Sequence, residues 1–395
     1  MAILFISSLV PDTSEFHNDA FTRSGNNVLY GIARKLYADD KDSVFISCRP
    51  VPSYPGGKIW ISAEKVKLDF GAEVYILPTI NIKILKNVCW NIFAFFYIIC
   101  WAIKQKGKVR DILVYNIYIP SISVCYFAAR LTRSKLFTIL YDLGVPPKRL
   151  GLSRLTMLSY KWGERMAKRF IPKIDGRIII NESIIDHYSP GKDYLLIDGG
   201  INDQIISSLF QLQKSMNDTF IFVLAGMLWD QNGTKLMLDT LKSYPDLDIK
   251  VVFAGKGVDV PIIQEASKSD DRIEYAGFLT MSEVVDLYER ADVLLNLRIE
   301  EELDFHFPSK LLEYMIMGKT IISTDIAHVS RDYSEYIYVL KETSPSGLYE
   351  LIQRILSKSK DELYQAGLRS RQFMLEHRTW DSRIEEIEYY IRSKH

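Results

Sequence analysis

Lys310 and Glu313, three residues apart behind Phe307-Pro308-Ser309, are suited by type and spacing to hold a phosphate and a pair of hydroxyls. Pro308 fits the first helical position, where its missing N–H is no loss. Ser309, Lys310 and Glu313 then share roughly one helix face. Unpaired backbone N–H groups at a helix start favour an anion, and the Lys310 ammonium adds a full charge. Leu311, Leu312, Met315 and Ile316 turn the other way, toward a core. A phosphate at the helix tip, with a carboxylate one turn deeper for ribose hydroxyls, is a nucleotide-sugar geometry. An ordinary capped helix with a Lys310–Glu313 surface pair has the same local pattern.

The elements that must position these groups are strands on either side. Asp292–Leu297 leads in, Gly318 stops the helix, and Thr320-Ile321-Ile322 follows as an apolar β-branched run. The same alternation extends along the chain. Ala2–Leu9, Ser43–Ser47, Glu73–Leu77, Asp111–Tyr115, Lys135–Leu140, Gly176–Ile180 and Tyr194–Ile197 read as strands of a first half. Thr219–Ala225, Ile249–Ala254, Arg272–Ala276 and Tyr336–Leu340 continue in the second. Helices are expected from Val28, Thr234, Ser282, Ser346, Lys360 and Thr379. Strand alternating with helix argues an α/β protein of two Rossmann-like, doubly wound domains with a cleft between them.

At 395 residues the chain suits two domains. Apolar residues make up 48% and charged residues 25%, a globular composition. The net charge of zero hides an asymmetry: residues 1–200 carry 27 Lys/Arg against 17 Asp/Glu, and residues 201–395 carry 22 against 32. A basic half suits an anionic surface or substrate. Cys48, Cys89, Cys100 and Cys125 show no CxxC spacing and read as buried reduced thiols of a cytosolic protein. The six histidines form no HxxxH pair, so no metal site is expected. Asp246-Leu247-Asp248 mimics a metal-binding DxD but precedes a strand, and reads as a turn.

Residues 82–106 are strongly apolar, with an uncharged run Val88–Ile103 bracketed by Lys83, Lys86, Lys104, Lys106 and Lys108. The run is short of the roughly 20 residues that span a bilayer. Two readings remain, a buried helix of the first domain and a monotopic helix that dips Trp90, Phe93, Phe96, Tyr97 and Trp101 into a leaflet. Lys148–Lys173 is basic with Tyr160 and Trp162 interleaved, which suits an anionic lipid surface, a pyrophosphate-bearing acceptor or a plain solvated face. Nothing else in the chain supports nucleic acid.

Phe307-Pro308-Ser309-Lys310 and the following Leu-Leu-Glu-Tyr-Met-Ile-Met-Gly-Lys-Thr-Ile-Ile-Ser resemble the donor-site segment of the GT-B glycosyltransferases, close to the family-four retaining enzymes of bacterial polysaccharide assembly. The resemblance extends more loosely over most of the chain. It implies the GT-B fold: an N-terminal acceptor-binding domain, 1–200, with a terminal helix, 379–395, crossing back to it, and a C-terminal nucleotide-sugar-binding domain, 201–378. It implies a glycine loop at Ser24-Gly25 closing on the donor diphosphate, where the family has Gly-Gly. It implies that Gly277-Phe278-Leu279 reads the base, and that Gly226, Arg298, Phe307, Ser309 and Glu313 line the donor site. The family's Arg and Lys after the first strand of the second domain are replaced by Met227 and Asn232, which leaves Lys310, with Lys235 or Arg298, to neutralise phosphate. The acid eight residues before Glu313 is replaced by Phe305, so Asp304 or Glu300 to Glu302 must reach the donor sugar. Asp142, after a strand and before Pro146-Pro147, lies where α/β folds bind ligands, and it also reads as a turn cap.

The expected reaction is transfer of a hexose from a nucleoside-diphosphate sugar, a UDP-sugar foremost, to a hydroxyl of a glycan or lipid-linked acceptor. Retention of configuration is implied by the resemblance, with Lys310, Asp142 and Asp304 as catalytic groups. No cofactor and no metal is expected, and the place of action is the cytoplasm or the inner face of the cell membrane. Two other readings stay open: a nucleotide-sugar epimerase on the same fold, and a catalytically idle subunit that binds a partner enzyme.

Overall fold

The computed structural model describes residues 2–11, 13, 16, 23–117, 121–141, 154–201, 219–299 and 305–395. They divide into two compact units, Met1–Gly200 with Trp380–His395, and Ile201–Thr379.

In the first unit the strands are β1 (Ala2–Ser7), β2 (Val44–Ser47), β3 (Trp60–Ile61), β4 (Glu64–Lys67), β5 (Glu73–Ile76), β6 (Thr79–Ile80), β7 (Arg110–Tyr115), β8 (Lys135–Leu140), β9 (Gly176–Ile179) and β10 (Leu195–Leu196). Eight of them form one sheet in the order β10-β9-β8-β7-β1-β2-β5-β4. All pairs are parallel except β4 with β5. β1 lies at the turning point of the strand order and every residue of it is buried. That explains its unbroken apolar sequence, since a central parallel strand is covered on both faces. β3 and β6 make a separate antiparallel pair. The helices Arg23–Asp39, Leu85–Lys104, Ile122–Thr132 and Arg154–Phe170 supply the crossovers.

The helix Trp380–Arg392 belongs to this unit. Arg383 pairs with Asp198, both nearly inaccessible to solvent, and donates to the Gly199 carbonyl at 3.2 Å. The Tyr390 hydroxyl accepts from the Arg177 backbone N–H at 3.2 Å and donates to Asp193 at 3.0 Å.

The second unit is a single parallel sheet of β11 (Phe220–Met227), β12 (Ile249–Lys256), β13 (Ile273–Gly277), β14 (Val293–Asn296), β15 (Thr320–Thr324) and β16 (Tyr338–Leu340). The order β13-β12-β11-β14-β15-β16 is the Rossmann order, with its reversal between β11 and β14. Its core packs Phe222, Leu224, Phe253, Val293 and Ile322 against helical Met237, Leu241 and Ile352. Asp246 lies in a turn before β12 and bonds the Tyr349 hydroxyl at 3.3 Å, while Leu247 is buried. The DxD look-alike is therefore at the N-terminal end of a strand, opposite the ends where such sheets bind ligands.

Several expectations change. The first helix starts at Arg23, ahead of the expected Val28, so Gly25 is in its first turn and not in a loop. Pro308 precedes a helix that begins at Lys310, with Leu311 N–H bonded to the Pro308 carbonyl at 2.7 Å in a tighter turn. The helices Ile122–Thr132, Ser183–Tyr188, Val260–Ala266 and Val329–Tyr333 had no counterpart in the sequence reading. In Leu85–Lys104, Trp90 and Trp101 are core residues, 1% and 4% exposed, and Tyr97 stacks on Tyr75 at 5.1 Å between ring centroids. Of the aromatics assigned to a leaflet, only Phe93 and Phe96 are exposed.

Candidate donor site in the second domain

Ligands of open α/β sheets bind beyond the carboxyl ends of the strands where the order reverses, which here means beyond β11 and β14. The helix Lys310–Ile316, between β14 and β15, brings Lys310 to that place. Its Nζ donates to the backbone carbonyl of Ala225, on β11. Gly226 follows with φ +125°, and a Cβ built on it would collide with Lys310 Nζ. Only glycine accommodates both the backbone angle and the close approach. One strand over, Gly255 has φ +139° and its missing Cβ makes room for the Gly226 carbonyl.

The two loops at the reversal are bound to each other. Ile299 N–H donates to the Gln231 carbonyl at 2.8 Å, and the Thr324 hydroxyl to the Arg298 carbonyl at 2.5 Å. Asn296 donates from Nδ2 to Ser323 at 2.8 Å, tying the ends of β14 and β15 together. Asn232 does not face a ligand with a charge; its Nδ2 donates to the Met227 carbonyl at 2.6 Å and braces the loop. Lys235 is committed to a surface pair with Asp230 at 3.1 Å. Lys310 bonds the end of β11, and Arg298 follows β14 in the chain.

Glu313 is one turn along from Lys310, and its side chain reaches solvent. Its carboxyl pKa is nonetheless raised, because the surrounding protein limits its hydration, and Lys310 opposes the rise. The Lys310 pKa is lowered by the same restriction, opposed by Glu313. Glu313 is exposed and Lys310 half-buried, so two opposite charges lie one turn apart at the start of this helix. Below them Tyr314 is fully buried, edge-on to Tyr288 at 5.3 Å, and burial raises both phenol pKa values. Nothing in the sequence reading singled out this tyrosine pair.

Other expected site residues fall differently. Ser309 is exposed directly before the helix. Phe307 is 4% exposed and stacked on His328 at 4.7 Å, so its ring supports the loop from beneath. Phe278 is 72% exposed at the end of β13, with the Lys256 ammonium 4.9 Å from its ring centroid, and Leu279 beside it is partly exposed. A solvent-facing aromatic with a cation against it offers a platform for a base. Lys256 is the last residue of β12. Phe305 is 1% exposed, so the position of the family's first acid is a core position here. Gly25 belongs to the first unit. Asp142 and Asp304 lie outside the described residues, as do Glu300 to Glu302.

Residues 219–358 match the model of the family described as Glycosyl transferases group 1. No curated protein matches the chain in sequence. Among solved structures it is similar to sucrose-phosphate synthase from Thermosynechococcus elongatus, with a TM-score of 0.65 and 13% identity over 100% of this chain and 99% of that one. HepE of Anabaena in complex with UDP aligns over 100% of both chains at a TM-score of 0.61 and 13% identity. The trehalose-6-phosphate protein of E. coli bound with UDP-2-fluoro glucose aligns over 98% of both at 0.62 and 9% identity. Residues 219–358 thus match the group 1 glycosyl transferases, in a chain whose fold is that of the GT-B glycosyltransferases.

Proposed function

We propose that the protein transfers a hexose from a nucleoside-diphosphate sugar to a hydroxyl acceptor, with Lys310 on the leaving diphosphate and Glu313 on the donor ribose. The observation that carries this is their joint placement at the strand-order reversal of the domain that matches the group 1 glycosyl transferases. UDP is the favoured nucleotide, supported by the UDP ligand of HepE and the UDP-2-fluoro glucose of the E. coli structure. As the sugar–phosphate bond breaks, negative charge grows on the diphosphate, and a fixed ammonium there stabilises the transition state more than the ground state. That electrostatic term asks for no metal. Arg298 assists the phosphates, and Phe278 with Leu279 forms the side of the site facing the base. Retention of anomeric configuration is the outcome that the resemblance to the family-four enzymes implies.

The acceptor belongs to the first domain and is a glycan or lipid-linked hydroxyl of polysaccharide or glycoconjugate assembly, met at the inner face of the cell membrane. Incubation with UDP-sugars and acceptors in the presence of EDTA tests the reading. A larger product with released UDP is the expected result, and the anomeric proton coupling of that product reports retention or inversion. Isomerised donor without transfer would assign an epimerase, and tight UDP binding with neither outcome a binding subunit.

A further inference from the structure

We infer that the face of the first domain built by the helices Leu85–Lys104, Ile122–Thr132 and Arg154–Phe170 docks on an anionic lipid surface. This deepens the reading of a membrane-borne acceptor given above, but it rests on separate observations. The crossovers from β5 to β7, β7 to β8 and β8 to β9 all advance in one direction across the sheet. Right-handed connections therefore lay the three helices side by side on one sheet face. Contacts between neighbours agree: Asn91 accepts from the Ser121 N–H at 2.7 Å, and the Phe127 and Phe170 rings meet at 5.4 Å.

Each of these helices turns apolar side chains outward. Leu85–Lys104 buries Trp90, Ala94, Ile98 and Trp101 against the domain. Its outer stripe, Leu85, Val88, Ile92, Phe96 and Ile103, is 40–68% exposed at helical spacing. A helix that is apolar all round belongs in a core or in lipid, and here its outer stripe is exposed in the structure. Phe127 and Leu131 on the second helix are 57% and 67% exposed, and Leu158 and Trp162 on the third are 65% and 55% exposed. Exposed large apolar side chains on three adjacent helices mark an interaction surface.

The charges select the occupant. Every exposed charged side chain described on these three helices is basic: Lys104, Arg130, Lys161, Arg165, Lys168 and Arg169, of which Arg130 pairs with Asp175 and Lys168 with the less exposed Glu164. A protein interface of this area would pair such cations with acids of its own, whereas aromatics mixed with a one-signed basic fringe match an anionic leaflet, headgroups outside and acyl chains within.

The test is co-sedimentation of the purified protein with vesicles of phosphatidylglycerol and phosphatidylcholine, or of phosphatidylcholine alone, at low and high salt. Binding to the anionic vesicles that weakens with salt but persists in part is the expected result. Ile92→Ser, Phe96→Ser and Trp162→Ser together should lower the salt-resistant partition at least about tenfold, because burial of large apolar side chains supplies it. All three are more than half exposed, so their truncation leaves no cavity and melting should not move. Lys161→Gln with Arg165→Gln should remove low-salt binding instead, roughly fivefold per charge. Brominated lipids should quench wild-type fluorescence more than that of Trp162→Phe. Wild-type protein that stays in the supernatant at low salt overturns the inference. So does a concentration-dependent oligomer that the triple variant returns to monomer, which would assign the face to a second copy. Calorimetric titration with UDP, done without vesicles, reports on the donor site independently of either outcome.

Discussion

Lys310 reaches back from the start of its helix to the carbonyl of Ala225, 85 positions earlier in the chain. The bond ties the start of that helix to β11 at the strand-order reversal of the second domain, which is where the proposed function puts the diphosphate. A lysine with a lowered pKa and one carbonyl partner still has two donor hydrogens to offer.

Lys310→Ala should therefore cut turnover by roughly 10²–10³, the usual cost of one transition-state contact. Stability should change less, since the side chain is only partly enclosed. Near-normal kcat in a folded variant would mean that the diphosphate is held elsewhere.

Glu313→Gln keeps the shape of the side chain and removes its charge. If the carboxylate holds ribose hydroxyls, UDP affinity should fall by about 1–3 kcal/mol, the worth of a charge-assisted hydrogen bond. Calorimetry with UDP, and with UMP as the comparison, reads this directly. Equal affinity of variant and wild type for both would remove Glu313 from the donor site.

How much of this was legible depended on whether the signal was local. Lys310 and Glu313 could be paired from the sequence because a helix converts a spacing of three into a shared face. Their docking on Ala225 could not, because it depends on which strands are neighbours. The place of Phe307 in the motif marks a donor-site position, while nothing local in the sequence shows that its ring stacks on His328. In Leu85–Lys104 every face is apolar, so periodicity could not separate the buried Trp90 and Trp101 from the exposed Phe96. Only the sheet beneath decides which stripe faces inward. Gly25 looked like loop chemistry because glycine marks turns, and the helix that contains it starts earlier than its apolar periodicity does.

The two site charges also set a pH window. If Lys310 holds the diphosphate it must be protonated, and its lowered pKa makes it lose charge at a lower pH than an ordinary lysine. If Glu313 holds the ribose it must be ionised, and its raised pKa makes it lose charge at a higher pH than an ordinary glutamate. UDP affinity should thus fall on both the acid and the alkaline side, inside the range ordinary side chains would give. Glu313→Gln should abolish the acid limb and leave the alkaline one. An unchanged acid limb in that variant would trace it to another group.

The terminal helix gives a prediction independent of the donor site. A Cβ on Gly31 would lie 2.5 Å from the Trp380 indole, well inside contact distance. Alanine inside the helix Arg23–Asp39 should by itself gain about 1 kcal/mol over glycine. Forcing a methyl against a ring that is 7% exposed should cost about 1–3 kcal/mol. The clash should win in the wild-type background, and Gly31→Ala should lower the melting temperature. In a Trp380→Leu background the ring is gone, only the propensity gain remains, and the same change should be neutral or stabilising. That reversal of sign is the decisive reading. If Gly31→Ala stabilises both backgrounds equally, Trp380 does not rest on this glycine, and the helix Trp380–Arg392 is held chiefly by Arg383 and Tyr390.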